Sequence, residues 1–157
     1  MLERYEEFTT KINLAYKYIM KIKTHEMNNL DLKAAHLNVI FYLGRHKEGL
    51  TASELCWLCK EDKAWISKNL NYLKKKKLIE KYNEDKDKTY RAKYYMTMEG
   101  IEVYDEIVSI ISYISNKCAE GCTSEELEVF YKVFGILISN LSEFYNRIEN
   151  KEDRKGE

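Results

Sequence analysis

Residues 50–100 read LTASELCWLCKEDKAWISKNLNYLKKKKLIEKYNEDKDKTYRAKYYMTMEG. Thr51-Ala52-Ser53-Glu54 matches the capping box S/T-x-x-E. Its hydroxyl would accept the N–H of Glu54, and Glu54 would reach back to the N–H of Thr51. Leu55 and Leu58 follow on one face, which predicts a short helix over 52–59. Asp62 is an N-cap for a second helix that buries Ile66, Leu70 and Leu73 and runs into the lysines at 74–77. The period then changes. Residues 78–82 read as a strand, 83–89 are polar, and 90–96 read as a second strand, so the pair forms a β-hairpin around a charged tip. Thr97 can cap the next helix. The order helix, turn, helix, strand, tip, strand is a winged helix-turn-helix, and the chain is expected to be mostly α with a small β-hairpin wing.

In such a pair the second helix enters the DNA major groove and the first braces it across the backbone. With Ile66, Leu70 and Leu73 facing in, Lys63, Ala64, Trp65, Ser67, Lys68, Asn71 and Tyr72 are left to face outward or lie on the flanks. Lys63 and Lys68 can neutralise phosphates, while Ser67 and Asn71 can bond phosphates or base edges. Lys86, Lys88 and Arg91 at the tip suit a wing lying along the backbone or minor groove. Charge distribution agrees. The 26 basic and 26 acidic residues cancel, but residues 60–93 carry 12 basic and 6 acidic groups, whereas 99–157 carry 6 and 13. One segment is therefore built to meet an anion. An ordinary solvated lysine face would explain the charge alone, but not its coincidence with this helix order and wing.

The segment resembles the DNA-binding core of the MarR family of bacterial transcriptional regulators. The resemblance rests on SEL at 53–55, DKAWISK at 62–68, LIEKY at 78–82, the Asp/Lys-rich wing and MTMEG at 96–100. It implies a winged core between N- and C-terminal dimerisation helices. It also implies a homodimer on a palindromic double-stranded operator and, in many members, release by a small ligand or oxidant. No cofactor is implied. Two departures stand out. The family's wing commonly carries arginine in a D-x-R pattern, where this chain has Asp85-Lys86-Asp87-Lys88 and a single wing arginine, Arg91. Lysine keeps the charge but loses the bidentate fork. The family also commonly has glycine where Lys77 stands, and a left-handed backbone there would cost on the order of 1 kcal/mol.

Outward from the core, Tyr5, Phe8, Ile12, Ala15, Ile19 and Ile22 step by 3 and 4, the stripe of one helix ending near Met27-Asn28-Asn29. Residues 32–46 form another helical segment. After Thr97, Ile101, Tyr104, Val108, Ile111 and Ile114 mark a third stripe, and Gly121 breaks it. Thr123-Ser124-Glu125-Glu126 is a second capping box. It opens a helix with Leu127, Phe130, Phe134, Leu137, Leu141, Phe144 and Ile148 on one seam. A winged core of ~50 residues cannot cover all these stripes. The expected solution is a two-fold dimer in which Tyr5, Phe8, Ile12, Phe134, Leu137, Leu141, Phe144 and Ile148 meet a second copy. The expected organisation is one domain over 1–157: a core at 31–97, dimerisation helices at 1–30 and 98–150, and a frayed charged tail at 151–157.

Other classes fit poorly. No apolar run approaches the ~20 residues of a membrane span, and the N-terminus has no secretory stretch, so a cytoplasmic protein is expected. There is no phosphate loop, nucleophile elbow or HExxH, so an enzyme is not expected. A winged module for protein contacts is the main alternative. Cys56-x-x-Cys59, with Cys118 and Cys122, invites a metal or redox reading, but cysteine at such positions is often simply buried, and no metal site is expected. His25, His36 and His46 lack helical metal-pair spacing and read as surface or interface residues. Tyr16, Tyr18, Tyr42, Tyr94, Tyr95 and Tyr104 could line an aromatic effector pocket. The plainer expectation is that they fill half-buried positions.

Overall fold

The computed structural model describes residues 2–82 and 92–153, with side chains described through residue 150. Two compact units divide the chain, residues 1–112 and 113–157. The first contains α1 (Leu2–Asn29), α2 (Ala34–Arg45), β1 (Leu50–Thr51), α3 (Ala52–Cys59), α4 (Lys63–Lys75), β2 (Ile79–Tyr82), β3 (Lys93–Met96) and most of α5 (Met98–Cys118). The second contains the end of α5 and α6 (Ser124–Asp153). Among the described residues no helix is long and apolar enough to cross a membrane.

The caps foreseen in the sequence are formed. The Glu54 N–H donates to Thr51 Oγ1 at 3.2 Å and the Thr51 N–H to Glu54 Oε2 at 2.7 Å. Asp62 Oδ1 accepts the Trp65 N–H at 2.8 Å. At α6 the Glu126 N–H donates to Thr123 Oγ1 at 3.2 Å, and Glu126 Oε2 accepts the Thr123 N–H at 2.8 Å. These bonds satisfy backbone donors that each first turn leaves orphaned. Expected and observed ends differ by small steps. β2 begins at Ile79, β3 at Lys93, and α6 continues to Asp153, into the stretch expected to fray.

Helix ends are less ordinary. Asp31, Lys60 and Lys77 all have positive φ, of 52°, 57° and 58°. Each follows a helix closed by a bond spanning five residues: Leu32 N–H to Met27 O, Glu61 N–H to Cys56 O, and Leu78 N–H to Leu73 O. This is the Schellman arrangement, whose left-handed position favours glycine. Three non-glycine residues occupy it here, including the Lys77 flagged from the sequence.

The sheet has three antiparallel strands in the order β1-β3-β2, one more than the hairpin predicted. Leu50 and Thr51 pair with Tyr94 and Lys93 on one side, and Ile79–Tyr82 pair with Met96–Lys93 on the other. At the root of the wing, Thr97 Oγ1 donates to Lys77 O at 2.7 Å and accepts the Gly100 N–H at 3.0 Å. The Cβ of any other residue at Gly100 would lie 2.0 Å from Leu78 O. The core lies between these pieces: Met27 from α1, Val39, Ile40 and Leu43 from α2, Leu55 from α3, Ile66, Leu70 and Leu73 from α4, and Ile107 from α5.

Candidate nucleic-acid interface

Helix α4 is amphipathic in the sense the sequence predicts. Ile66, Leu70 and Leu73 are buried against the core, and Lys63, Ala64, Ser67, Lys68 and Asn71 are exposed. Lys63, Ser67 and Asn71 stand four apart, as do Ala64 and Lys68, so the five share one face. Among the described residues no carboxylate lies within ion-pair distance of Lys63 or Lys68. This surface carries two cations, two small polar groups and a gap at Ala64 where a partner's backbone could approach. Helix α3 packs across α4 and holds it from behind.

Trp65 and Tyr72 stand seven apart on a flank and are half-buried against the core. The Tyr72 ring stacks on His36 with centroids 4.3 Å apart and planes at 17°. One face of its ring is thus already committed within the protein. Lys86, Lys88 and Arg91 lie outside the described residues.

Sequence reasoning missed two groups. His36 is not a surface or interface residue but is 3% exposed. Its Nδ1 accepts the N–H of Lys33, the N-cap of α2, at 3.0 Å, taking the place a Glu or Gln has in a capping box. That bond requires the proton on Nε2, so the ring is neutral. Burial, then the charges of Lys33 and Lys76, push its pKa down to about 4. Asn69 is 5% exposed and donates to Trp65 O at 2.8 Å, which gives a polar side chain inside an apolar stripe a backbone partner. An asparagine between Ile66 and Leu70 was the available signal.

The cysteines separate into two kinds. Cys59 is buried, and burial followed by Glu61 raises its thiol to about 11, which leaves little thiolate at neutral pH. Cys56 is half-buried, and Cys118 and Cys122 are exposed. Among the described residues no three His, Cys, Asp or Glu side chains gather as a metal site. Of the six tyrosines weighed for a pocket, Tyr95 and Tyr104 line a cleft of about 760 Å³ with Leu43, Arg45, His46 and Ile101. Tyr42 and Tyr94 pack against the core, and Tyr16 and Tyr18 are exposed on α1.

Comparison with known proteins places this geometry. Residues 30–88 match the model of the MarR family. Among solved structures, an S. aureus MepR–DNA complex superposes with a TM-score of 0.78 at 20% identity, covering 85% of this chain and 97% of that one. A protein described as a MarR family transcriptional regulator from Listeria monocytogenes, complexed with 26mer DNA, gives 0.74 at 20% identity, covering 90% and 93%. Another MarR family transcription regulator gives 0.80 at 16% identity, covering 92% and 95%. These likenesses establish a shared fold. No curated protein sequence matches the chain.

Proposed function

The chain carries a MarR-family segment over residues 30–88, and on that premise we propose that it is a DNA-binding transcriptional regulator rather than an enzyme, acting in the cytoplasm as a homodimeric repressor. The observation that carries this reading is the exposed face of α4, where Lys63, Ser67, Lys68 and Asn71 stand clear of the core that fixes the helix. Lys63 and Lys68 supply phosphate contacts. Ser67 and Asn71 supply hydrogen bonds at base edges, and Ala64 permits close approach. Lys86, Lys88 and Arg91 extend the contact along the duplex. That solved proteins of the same fold are held with DNA supports the assignment.

Dimerisation follows from surface chemistry. Between residues 129 and 148, α6 exposes Val129, Phe130, Tyr131, Val133, Ile136, Leu137, Ile138, Leu141, Phe144, Tyr145 and Ile148. On α1, Tyr5 is exposed and Phe8 and Ile12 are half-buried. So much exposed apolar surface is characteristic of an obligate interface, and a two-fold operator reader needs two copies. A small ligand in the Tyr95–Tyr104 cleft, or an oxidant, would release DNA by changing the separation of the two α4 helices.

Fluorescence anisotropy on duplex DNA tests the reading. Wild type should bind with an affinity that falls steeply between about 50 and 200 mM salt. The variant carrying Lys63→Glu and Lys68→Glu should bind at least about a hundredfold more weakly at the lower salt. Equal binding by both would leave a winged module for protein contacts as the better account.

A further inference from the structure

We propose that His36 and Tyr72, together with the Asp31–Lys76 ion pair, form a clamp that sets the angle of α4 against α1 and so determines which half-site spacing the dimer accepts. The proposal rests on the DNA-binding reading above, and it assigns Tyr72 to positioning rather than to DNA contact.

The two halves of α4 face different demands. Its first half carries Lys63, Ala64, Ser67 and Lys68 outward and must stay free to enter a groove. That half is seated by Ile66 in the core and by α3, and the second half adds contacts of its own. There the Tyr72 ring lies flat on His36, 4.3 Å away. His36 cannot swing, because its Nδ1 accepts the Lys33 N–H at the start of α2. One turn further, Lys76 at the C-cap of α4 pairs with Asp31, and its Nζ also lies 6.0 Å from the centre of the Tyr72 ring. Asp31 is itself held at the left-handed position that closes α1. Both contacts therefore originate at the α1–α2 junction, and both seize the same end of α4.

The consequence is leverage. Thirteen residues of α4 make a rod of roughly 20 Å. A tilt of about 10° about the clamped end displaces the other end by about 3 Å, close to the rise of one base pair along a strand. Because α1 offers its apolar stripe to the second copy, the angle set at Asp31 and His36 fixes each reading helix relative to the dimer axis. The face of Tyr72 that stacks on His36 is closed to a base.

The test titrates wild type, Tyr72→Phe, Tyr72→Leu, His36→Leu and Asp31→Asn with an operator that wild type selects from a random duplex library and with operators whose spacer is one base pair longer or shorter. Asp31→Asn removes the charge while keeping a residue that accepts the left-handed turn, so it also guards against misfolding of the buried variants. Wild type and Tyr72→Phe should prefer one spacing by about tenfold or more. Tyr72→Leu and His36→Leu should flatten that preference to within about threefold, and Asp31→Asn should fall between, all with an unchanged salt slope because no phosphate contact is touched. Loss of operator affinity in Tyr72→Phe would make the hydroxyl a DNA contact and overturn the clamp. So would Leu variants that weaken every spacing equally, the result of simple destabilisation. A wild type that selects no operator overturns the functional reading as well, whereas one that selects an operator while the variants keep its preference overturns the clamp alone.

Discussion

Lys77 sits at φ 58° with no glycine's freedom, and it does so because the wing root demands a sharp reversal after α4. Leu78 N–H must reach Leu73 O, and Lys77 O must meet Thr97 Oγ1. Lys77→Gly should therefore stabilise the fold by up to about 1 kcal/mol in urea unfolding, and Lys77→Ala should not. Gly100 presents the reverse case. An alanine Cβ there would press on the Leu78 carbonyl, so Gly100→Ala should cost about 2 kcal/mol or more, read as a lowered Tm. His36 gives a pH dependence. Its folded pKa, pushed down to about 4 by burial and two lysines, lies below the ordinary 6.5. Between these values the unfolded chain takes up a proton that the folded chain refuses. The stability His36 contributes is thus complete above pH 6.5 and is lost as pH falls toward 4. His36→Phe keeps a ring against Tyr72 and removes the titration, so its urea midpoint should vary less than wild type between pH 6.5 and 5.

Elements differ in how plainly the sequence announces them. The long helices were legible because their apolar steps of 3 and 4 persist for many turns, and α3, α4 and α6 because Thr51, Asp62 and Thr123 cap them with side chains whose geometry is local. Strand β1 was not legible. It has two residues, and Thr51, which ends it, is also the N-cap of α3, so its helix signal masks its pairing with Lys93. The burial of His36 was equally hidden, since it depends on Tyr72 lying 36 positions away in sequence. The outward face of α4 was readable from spacing alone, but the commitment of Tyr72 to His36 was not. That face carries its own prediction. Lys68→Ala should weaken binding evenly across sequences and lower the slope of log affinity against log salt by about 1 per protomer. Asn71→Ala should instead relax preference at particular base pairs.

At the scale of the whole molecule, neutrality is the sum of opposed regions. The basic 60–93 segment holds the reading face, and the acidic 99–157 region holds the broad apolar band of α6. A negative region on the reading surface would repel phosphates, and the segment that holds that surface is instead net basic. If those helices form the dimer, light scattering at micromolar concentration should give twice the chain mass. Leu141→Glu with Phe144→Glu should then yield a monomer or an aggregate, and operator affinity should fall with it. The central claim is that two copies of the α4 face read one duplex. Selection of a random duplex library by the purified protein at ~0.15 M salt, where sequence-blind binding is weak, tests it most directly. The account predicts a palindromic consensus with half-sites about one helical turn apart. Recovery of duplexes with no common sequence, under reducing and metal-free conditions, would contradict it.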